Sequence, residues 1–455
     1  MTAVGVYLND AGLAVTGQDQ SFSVMPSIVH SDPANFDSLG SSARHVARLT
    51  PRAVSVDHWT TLTRAGLNIT SSARSIIQGE LRARLADRSV NTPLQCAVPA
   101  VFGPDSLSVV LALMRREGFN VHAFHDAASL MVASAGLGGT TIVLEMGLGH
   151  FSATRVDSDQ EVRRRASTTR YGAGVLALHQ CWLQRIAEAM VLQTRFDPLH
   201  DGMSEQRLYD DLEKTYSTAA SEGAAEIGLS TPNGVVRVTL SRDQFAEAAS
   251  SIYSEALAVL HELRPAGSRT NLLLDEQYLQ LPGFLERLAS LRGCRVFVHS
   301  TGFASRAAAA EQATFDADGS VTIHRGHVLR PPLEMPKEID LSDYQSANGL
   351  SPTHALVQGT AVEILQGVLE VGRNPQGRGL RLGEGLAGVS RLHCYLQCDE
   401  SRVTLVPHST QGTWLNDERV SGRVRVSSGD QLRIGSPGVV IELIAVGGGG
   451  RGASS

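Results

Sequence analysis

The stretch that decides the fold reads VGRNPQG (371–377), VSRLHCYL (389–396) and HSTQGTWLN (408–416), three polar runs in fixed order. The segments attached to them, LHCYLQC and RVTLV, alternate apolar and polar residues, which is the period of a half-buried strand. The polar runs therefore fall at strand ends, where a rigid scaffold carries its binding groups. Their chemistry suits a phosphomonoester, which carries about −1.5 to −2 charge and three strong acceptor oxygens at neutral pH. Arg373 offers a planar, charge-assisted fork. Ser390 and Thr410 offer hydroxyl donors, and Arg391 a second cation.

Taken together, Gly372-Arg373, Ser390-Arg391-Leu392-His393, Ser409 to Thr413 and Asn416 resemble the forkhead-associated (FHA) domain, a small β-sandwich whose loop ends grip phosphothreonine. The resemblance implies that Arg373, Ser390 and Thr410 contact the phosphate. Arg391, Ser409 and Gln411 stand on the same peptide-facing loops. Gly372, His393, Gly412 and Asn416 are implied to be structural, with His393 bracing the loops and Gly412 permitting the turn. One departure stands out. The family places Asn where this chain has Gln411, so the contact with the peptide main chain carries an extra methylene.

Outward from this module, 455 residues are too many for one core, and two to three domains are expected. A composition of 42% hydrophobic and 19% charged residues has no disordered or fibrous signature. A net charge of −6 argues against a general nucleic-acid binder. From Ser351 onward, ten Arg and no Lys face nine Asp plus Glu, so any anion site there must be local. The five cysteines, Cys96, Cys181, Cys294, Cys394 and Cys398, are scattered and odd in number, which reads as free thiols in a reducing compartment. Asn9 and Asp10 interrupt the first apolar run, and no window approaches a membrane span, so the expected location is cytoplasmic. Only Lys214 and Lys337 are lysines among 40 basic residues, a bias typical of a GC-rich bacterial genome.

Along residues 1–330 short strands alternate with helical stretches, the order of a sheet flanked by helices. TAVGVYL, GLAVTG and FSVMPSIV read as strands, and ARSIIQGELRARLAD as a helix. LQCAVPAVF, VHAF and TTIVLEMG read as further strands, separated by SLSVVLALMRREG and DAASLMVASAGL as helices. Residues after Arg170 read as mainly helical to about Gly223. EIGLSTPNGVVRVTLS is a hairpin turned at Asn233-Gly234, and Ser241 caps one long helix over 242–263. NLLLD, LPGFLERLASL and RVFVHS then give strand, helix and strand. Residues 331–351 lack periodicity and read as a linker before an FHA sandwich at 352–446, and 447–455 as a disordered tail. The run Arg163-Arg164-Arg165 reads as a solvated strand edge, and the histidines show no metal spacing.

This order of elements is similar to the ATPase domain of the seventy-kilodalton heat-shock chaperones, of the actin and sugar-kinase superfamily. The fold class expected is thus multidomain: a two-lobed actin-like α/β ATPase fold followed by the all-β module. The motifs QCAVPAVFG, FNVHAFHDAASLMVASAGL and VRVTLSRDQFAE carry the likeness. Its nucleotide motifs are degenerate. VGVYLNDAG retains only Asp10 and Gly12 of the first phosphate turn. LEMGLGHFS keeps Gly147 and Gly149 with Glu145 in place of Asp, and Asp126 stands where the family has a catalytic-site Glu. NLLLDEQY puts Asp275 and Glu276 in the adenosine glycine positions. No lysine precedes Lys214, and Arg64 or Arg74 would have to deputise for the family's catalytic lysine.

These readings together make a non-enzymatic scaffold, a phosphothreonine reader on a pseudo-ATPase platform. Its partner would be a phosphothreonine protein made by a Ser/Thr kinase, with no catalytic residue, metal, cofactor, nucleic acid or membrane insertion. The alternative is an ATP-binding, chaperone-like switch whose FHA domain recruits phosphorylated clients.

Overall fold

The first apolar run becomes β1 (Val4–Tyr7), the central strand about which one half of the large unit is built. This computed structural model describes residues 3–17, 19, 21–30, 39–86, 92–159, 161–231, 234–265, 269–291, 293–312, 321–344, 351–357, 360–383, 386–399, 402–416, 418–435 and 438–445. The chain divides into two units, one of Met1–Arg264, Thr270–Leu285 and Arg295–Ile339, the other chiefly Asp340–Ser455. The tail at 447–455 and the turn residue Asn233 lie outside the described residues.

In the large unit β2 (Leu13–Thr16) and β3 (Phe22–Met25) return antiparallel beside β1. The chain then leaves the sheet through β4 (Val29–His30), α1 (Ser41–Arg44), β5 (Val54–Ser55), α2 (His58–Ala65) and α3 (Ser71–Leu85). Thr70 caps α3 by accepting from the Ala73 amide, and Ala73, Ile77 and Leu81 at four-residue steps bury one face. Glu80 on that face is wholly buried. Burial alone would raise its pKa, but His58 and Trp59 donate to it at 3.0 and 2.7 Å, and Arg84 adds charge, which hold it at about 2. β6 (Pro93–Val98) comes back parallel to β1, α4 (Pro104–Arg116) crosses over, and β7 (Asn120–Asp126) lies parallel to β6. α5 (Ala127–Ser134) closes this half.

The second half repeats the plan. β8 (Gly139–Met146), β9 (His150–Ser158) and β10 (Glu161–Tyr171) form an antiparallel meander. Helices α6 (Val175–Thr194) and α7 (Gly202–Glu222) follow, then the hairpin of β11 (Ala224–Thr231) and β12 (Gly234–Ser241). α8 (Arg242–Ala248) and α9 (Ser250–Leu263) lead to β13 (Thr270–Asp275), parallel to β8. α10 (Phe284–Ala289), β14 (Cys294–His299) and α11 (Phe303–Ala309) complete it. Each sheet thus holds a three-strand meander whose first strand pairs in parallel with a strand returning after helices. The two are joined at their edges: β15 (Thr322–His324) pairs with β7, and β16 (Gly326–Val328) pairs with β10, with Arg325 alone between them. α5 and α11 pack together in one apolar cluster that includes Leu130, Met131, Phe303 and Ala307.

Three expectations change. The helix read over 242–263 breaks at Ala249, whose φ of −89° and ψ of 2° end α8 before α9 begins. Residues 150–171, where only a solvated strand edge at Arg163–Arg165 was expected, form the two longest strands of their sheet, and that run lies in β10 between β16 and β9 with Arg164 paired to Asp126. The segment 331–351, read as linker, carries β17 (Lys337–Ile339), which pairs antiparallel with β14. Three paired residues are too few to leave a periodic trace.

The C-terminal unit is all β. One sheet runs β19 (Thr360–Glu363), β18 (His354–Val357), β28 (Val439–Ile444), β27 (Gln431–Ile434), β24 (Thr413–Leu415) and β25 (Glu418–Arg419) in spatial order. The other runs β21 (Gly379–Arg381), β20 (Gly367–Gly372), β22 (Cys394–Asp399), β23 (Arg402–Pro407) and β26 (Val424–Val426). Alternate residues Leu369 and Val371, Cys394 and Leu396, and Leu432 and Ile434 point into a shared core. Cys394 and Cys398 lie on that buried face as free thiols. Among the described residues, no helix is long and apolar enough to cross a membrane.

The tightest approach in the large unit is that of α11 over β1. A β-carbon on Gly5 would stand 1.8 Å from the Ser305 carbonyl oxygen and 2.6 Å from the Ala309 nitrogen. Gly5→Ala must therefore push α11 off the sheet, and overpacking of this kind costs about 1–3 kcal/mol or more. We expect a clear fall in the thermal midpoint of the large unit by circular dichroism. Gly12→Ala, which meets only a Val24 methyl at 3.1 Å, should fall much less.

Candidate functional site

The polar loops of the C-terminal unit converge because His393 binds them to one another. Its amide donates to the Val371 carbonyl at 2.8 Å, and its own carbonyl accepts from His408 and Ser409 at 3.0 and 2.8 Å. On the ring, Nδ1 accepts from the Ser390 amide at 3.2 Å, which leaves Nε2 as the protonated nitrogen, donating to the Gly412 carbonyl at 2.8 Å. Two more backbone bonds, Arg373 N to Ser390 O at 3.0 Å and Asn374 N to Arg391 O at 2.9 Å, register the first loop on the second. Gly372 has no room for a side chain there, since a β-carbon would stand 2.2 Å from the Arg391 oxygen. Gly412 adopts φ +97°, and its added carbon would stand 2.5 Å from the Trp414 ring.

The result places Ser390 Oγ 2.6 Å from Ser409 Oγ, while the Gln411 amide donates to Ser409 Oγ at 3.1 Å. Thr410 and Gln411 are exposed beside this pair. Arg373 and Arg391 are exposed, and among the described residues neither guanidinium makes a hydrogen bond or ion pair. Unpaired guanidinium groups beside hydroxyls suit an anion that accepts from both. Asn416, buried at φ +50°, donates to Asp430 at 2.7 Å and accepts from the Gln431 amide at 2.8 Å, so it locks the strand following the loop. Two further cations flank the site that sequence spacing did not single out. Arg419 reaches the Thr410 carbonyl at 3.5 Å, and Arg381 donates to Asn374 at 3.0 Å. Only the β24–β25 hairpin and the parallel pairing of β21 with β20 bring them there.

Residues 369–435 match the FHA domain family, which places an FHA domain in the C-terminal unit. FHA domains bind phosphothreonine-containing proteins. No curated protein matches the chain.

In the large unit the residues expected to be remnants of a nucleotide site lie near one another but are engaged with protein. Asp10 is buried and accepts from the Leu148 amide at 2.7 Å. Gly147 donates its amide to the His150 carbonyl at 2.8 Å, so two amides of the second glycine turn are occupied. β-Carbons on Gly147 and Gly149 would stand 2.2 Å from His150 and 2.7 Å from Thr60. These glycines are required for packing whatever the turn binds. Gly12 closes the first turn on the Asn9 carbonyl at 3.1 Å. Asp126 caps α5 through the Ser129 amide and pairs with Arg164 at 2.8 Å. Glu145 accepts from the Tyr7 hydroxyl at 2.8 Å, and burial raises its pKa to about 7. Asp275 accepts from the Gln277 amide, and Glu276 from that of Thr301 at 2.8 Å. Arg64 lies over the Tyr171 ring and Arg74 is exposed on α3. Among the described residues no group of His, Cys, Asp or Glu is placed to hold a metal ion.

The His393 ring makes the FHA unit sensitive to acid. Burial lowers its pKa below the ordinary 6.5, against the opposing pull of the Gly412 carbonyl. The unfolded chain therefore binds a proton first as pH falls. The stability that neutral His393 contributes is present in full above about pH 6.5 and is lost as pH drops towards the folded pKa. Chemical denaturation of the FHA unit between pH 7.5 and 5 should show this loss, and His393→Ala should start less stable and vary less across that range.

Proposed function

We propose that this protein is a phosphothreonine-reading adaptor: its FHA domain captures a substrate of a Ser/Thr kinase, and its large unit is a platform that does not turn over ATP. The observation that carries the first half is the pair of exposed arginines, Arg373 and Arg391, without side-chain partners among the described residues, on the loops that carry the joined hydroxyls of Ser390 and Ser409 and the exposed Thr410. A dianionic phosphate accepts from all of these at once, whereas an unmodified threonine hydroxyl offers one oxygen without charge. Gln411 sits at the peptide-facing edge, with a longer reach to the bound main chain than asparagine would have.

Support for an actin-like platform comes from the repeated strand order of its two sheets and from the convergence of both glycine turns on one cleft. Support for its inactivity comes from the bonds already made there. The Gly147 and Leu148 amides, which would face phosphate oxygens, are spent on His150 and Asp10. Phosphoryl transfer is mostly positioning and charge stabilisation, and no lysine precedes Lys214.

Two measurements test the two halves. Fluorescence anisotropy of the full chain should show binding of a phosphothreonine peptide and discrimination against its plain form. A charge-assisted hydrogen bond contributes about 1.5–3 kcal/mol, so Arg373→Ala should weaken binding roughly tenfold or more. Equal binding of both peptides, or no change on Arg373→Ala, overturns the reader. Separately, steady-state assays with magnesium and ATP should give no turnover above background. Hydrolysis that is abolished by Asp10→Asn would establish the ATP-driven switch instead.

A further inference from the structure

The cleft between the two sheets of the large unit encloses about 340 Å³, a volume within the range of small-molecule sites. Part of its lining is apolar, with Val24, Ile28, Met131, Leu148, Leu281 and Phe303. The rest includes four side chains of one electrostatic character, Tyr7, Glu145, Asp275 and Tyr278. Two of them carry unmet hydrogen-bonding capacity. The Tyr278 hydroxyl is buried, on a residue 4% exposed, and has no partner among the described residues. Glu145, 3% exposed, uses one oxygen on Tyr7, and its second has no partner in hydrogen-bonding geometry, although the Ala100 amide lies close enough to favour its charge. Orphaned buried polar atoms are rare in folded proteins and mark places where something else belongs.

The charge around these groups is only partly offset, by Arg164 at Glu145 and by His299 at Asp275. Burial raises all four, and next to burial the charge of Glu145 acts on Tyr7, and those of Asp275 and Glu145 act on Tyr278. The neighbouring cations are committed elsewhere: Arg44 to Glu213 at 3.0 Å, Arg306 to Glu334 at 2.9 Å, and Arg164 to Asp126 at 2.8 Å. His299 Nδ1 lies 3.8 Å from Asp275 but 3.1 Å from the Ser300 carbonyl, to which it donates. A phosphate entering here would meet two carboxylates at close range, where low dielectric strengthens repulsion. A positive charge would be attracted by both, and aromatic faces add to the attraction.

We infer that this cleft is a receptor site for a small organic cation, an ammonium or guanidinium group on an apolar body. Glu145 and Asp275 hold the charge, the Tyr278 oxygen accepts one of its N–H protons, and the body lies against the Met131 and Phe303 side of the cavity. This rests on the reading of the large unit as a platform without ATP turnover, and is independent of phosphothreonine capture by the FHA domain.

The test is isothermal titration of the full chain with phenethylammonium, n-butylammonium and n-butylguanidinium, beside 2-phenylethanol and Mg·ATP. At least one cation should bind saturably at one site, with the alcohol and Mg·ATP at least tenfold weaker. Glu145→Gln keeps an acceptor for Tyr7 but removes the charge, and should weaken the cation tenfold or more with an unchanged far-UV spectrum. If that variant fails to fold, Asp275→Asn at the half-buried position serves, with the same expected loss. The inference is overturned if none of the three cations binds, if 2-phenylethanol binds as well as phenethylammonium, or if the folded variants bind undiminished. Tighter binding of Mg·ATP than of any cation overturns both this inference and the inactive-platform reading. Phosphopeptide binding by the same preparation is unaffected by either result.

Discussion

The His393 imidazole, seated where the three polar runs meet, is the contact on which these loops depend. It has one donor and one acceptor nitrogen, and each is used on a different loop, at Gly412 and Ser390. Its own amide reaches Val371 of the first run, and its carbonyl adds His408 and Ser409 of the run that holds Gly412. Because a neutral ring satisfies both bonds only in one tautomer, the loops are held in one arrangement. Arg373 and Arg391, without side-chain partners among the described residues, stand on the loops so braced. Their backbones are fixed by strand-like bonds, so their side chains need no partner to hold the loops and stay available to an anion.

The large unit spends its polar groups in the opposite way. The two glycine turns that meet in its cleft are tied to each other by Asp10 and the Leu148 amide, and the Gly147 amide closes its own turn on His150. What the cleft keeps is acceptors: Glu145, Asp275 and the Tyr278 oxygen. Among the described residues, exposed guanidiniums thus mark the loops of one unit, while buried carboxylates and phenols mark the cleft of the other.

How much of this could be read from the chain differs between the units. The three FHA runs were legible because their binding residues are contiguous at strand ends, so type and spacing coincide with position in space. Helices such as α3 and α4 were legible because their apolar period of 3.6 extends over several turns, and strands such as β1 and β6 because they are short, largely apolar runs. β15, β16 and β17, three residues each, hold too few side chains for any period to show. The break at Ala249 has neither glycine nor proline to announce it and follows from the packing of α8 and α9 on different neighbours. Arg419 and Arg381 escaped notice because strand pairing, not chain spacing, carries them to the site. Asp126 shows the limit from the other direction. Its observed contacts are those of a helix cap paired with Arg164, and an acid at that place in the sequence suits a cap as well as a nucleotide site.

The passage of the chain from β15 to β16 has a mechanical consequence. One residue, Arg325, spans from the edge strand of the first sheet to that of the second. Consecutive Cα atoms stand about 3.8 Å apart, so the two sheets cannot draw apart at that edge without unpairing a strand. Stacking of His125 on His324 and the contact of His125 with His327 at 3.2 Å consolidate the join. Any opening of the cleft is therefore a rotation that pivots at Arg325, with displacement growing with distance from it. The strands farthest from that pivot are β3 on one side and β17 on the other, with β1 and β8, which carry Tyr7 and Glu145, part-way out along each sheet.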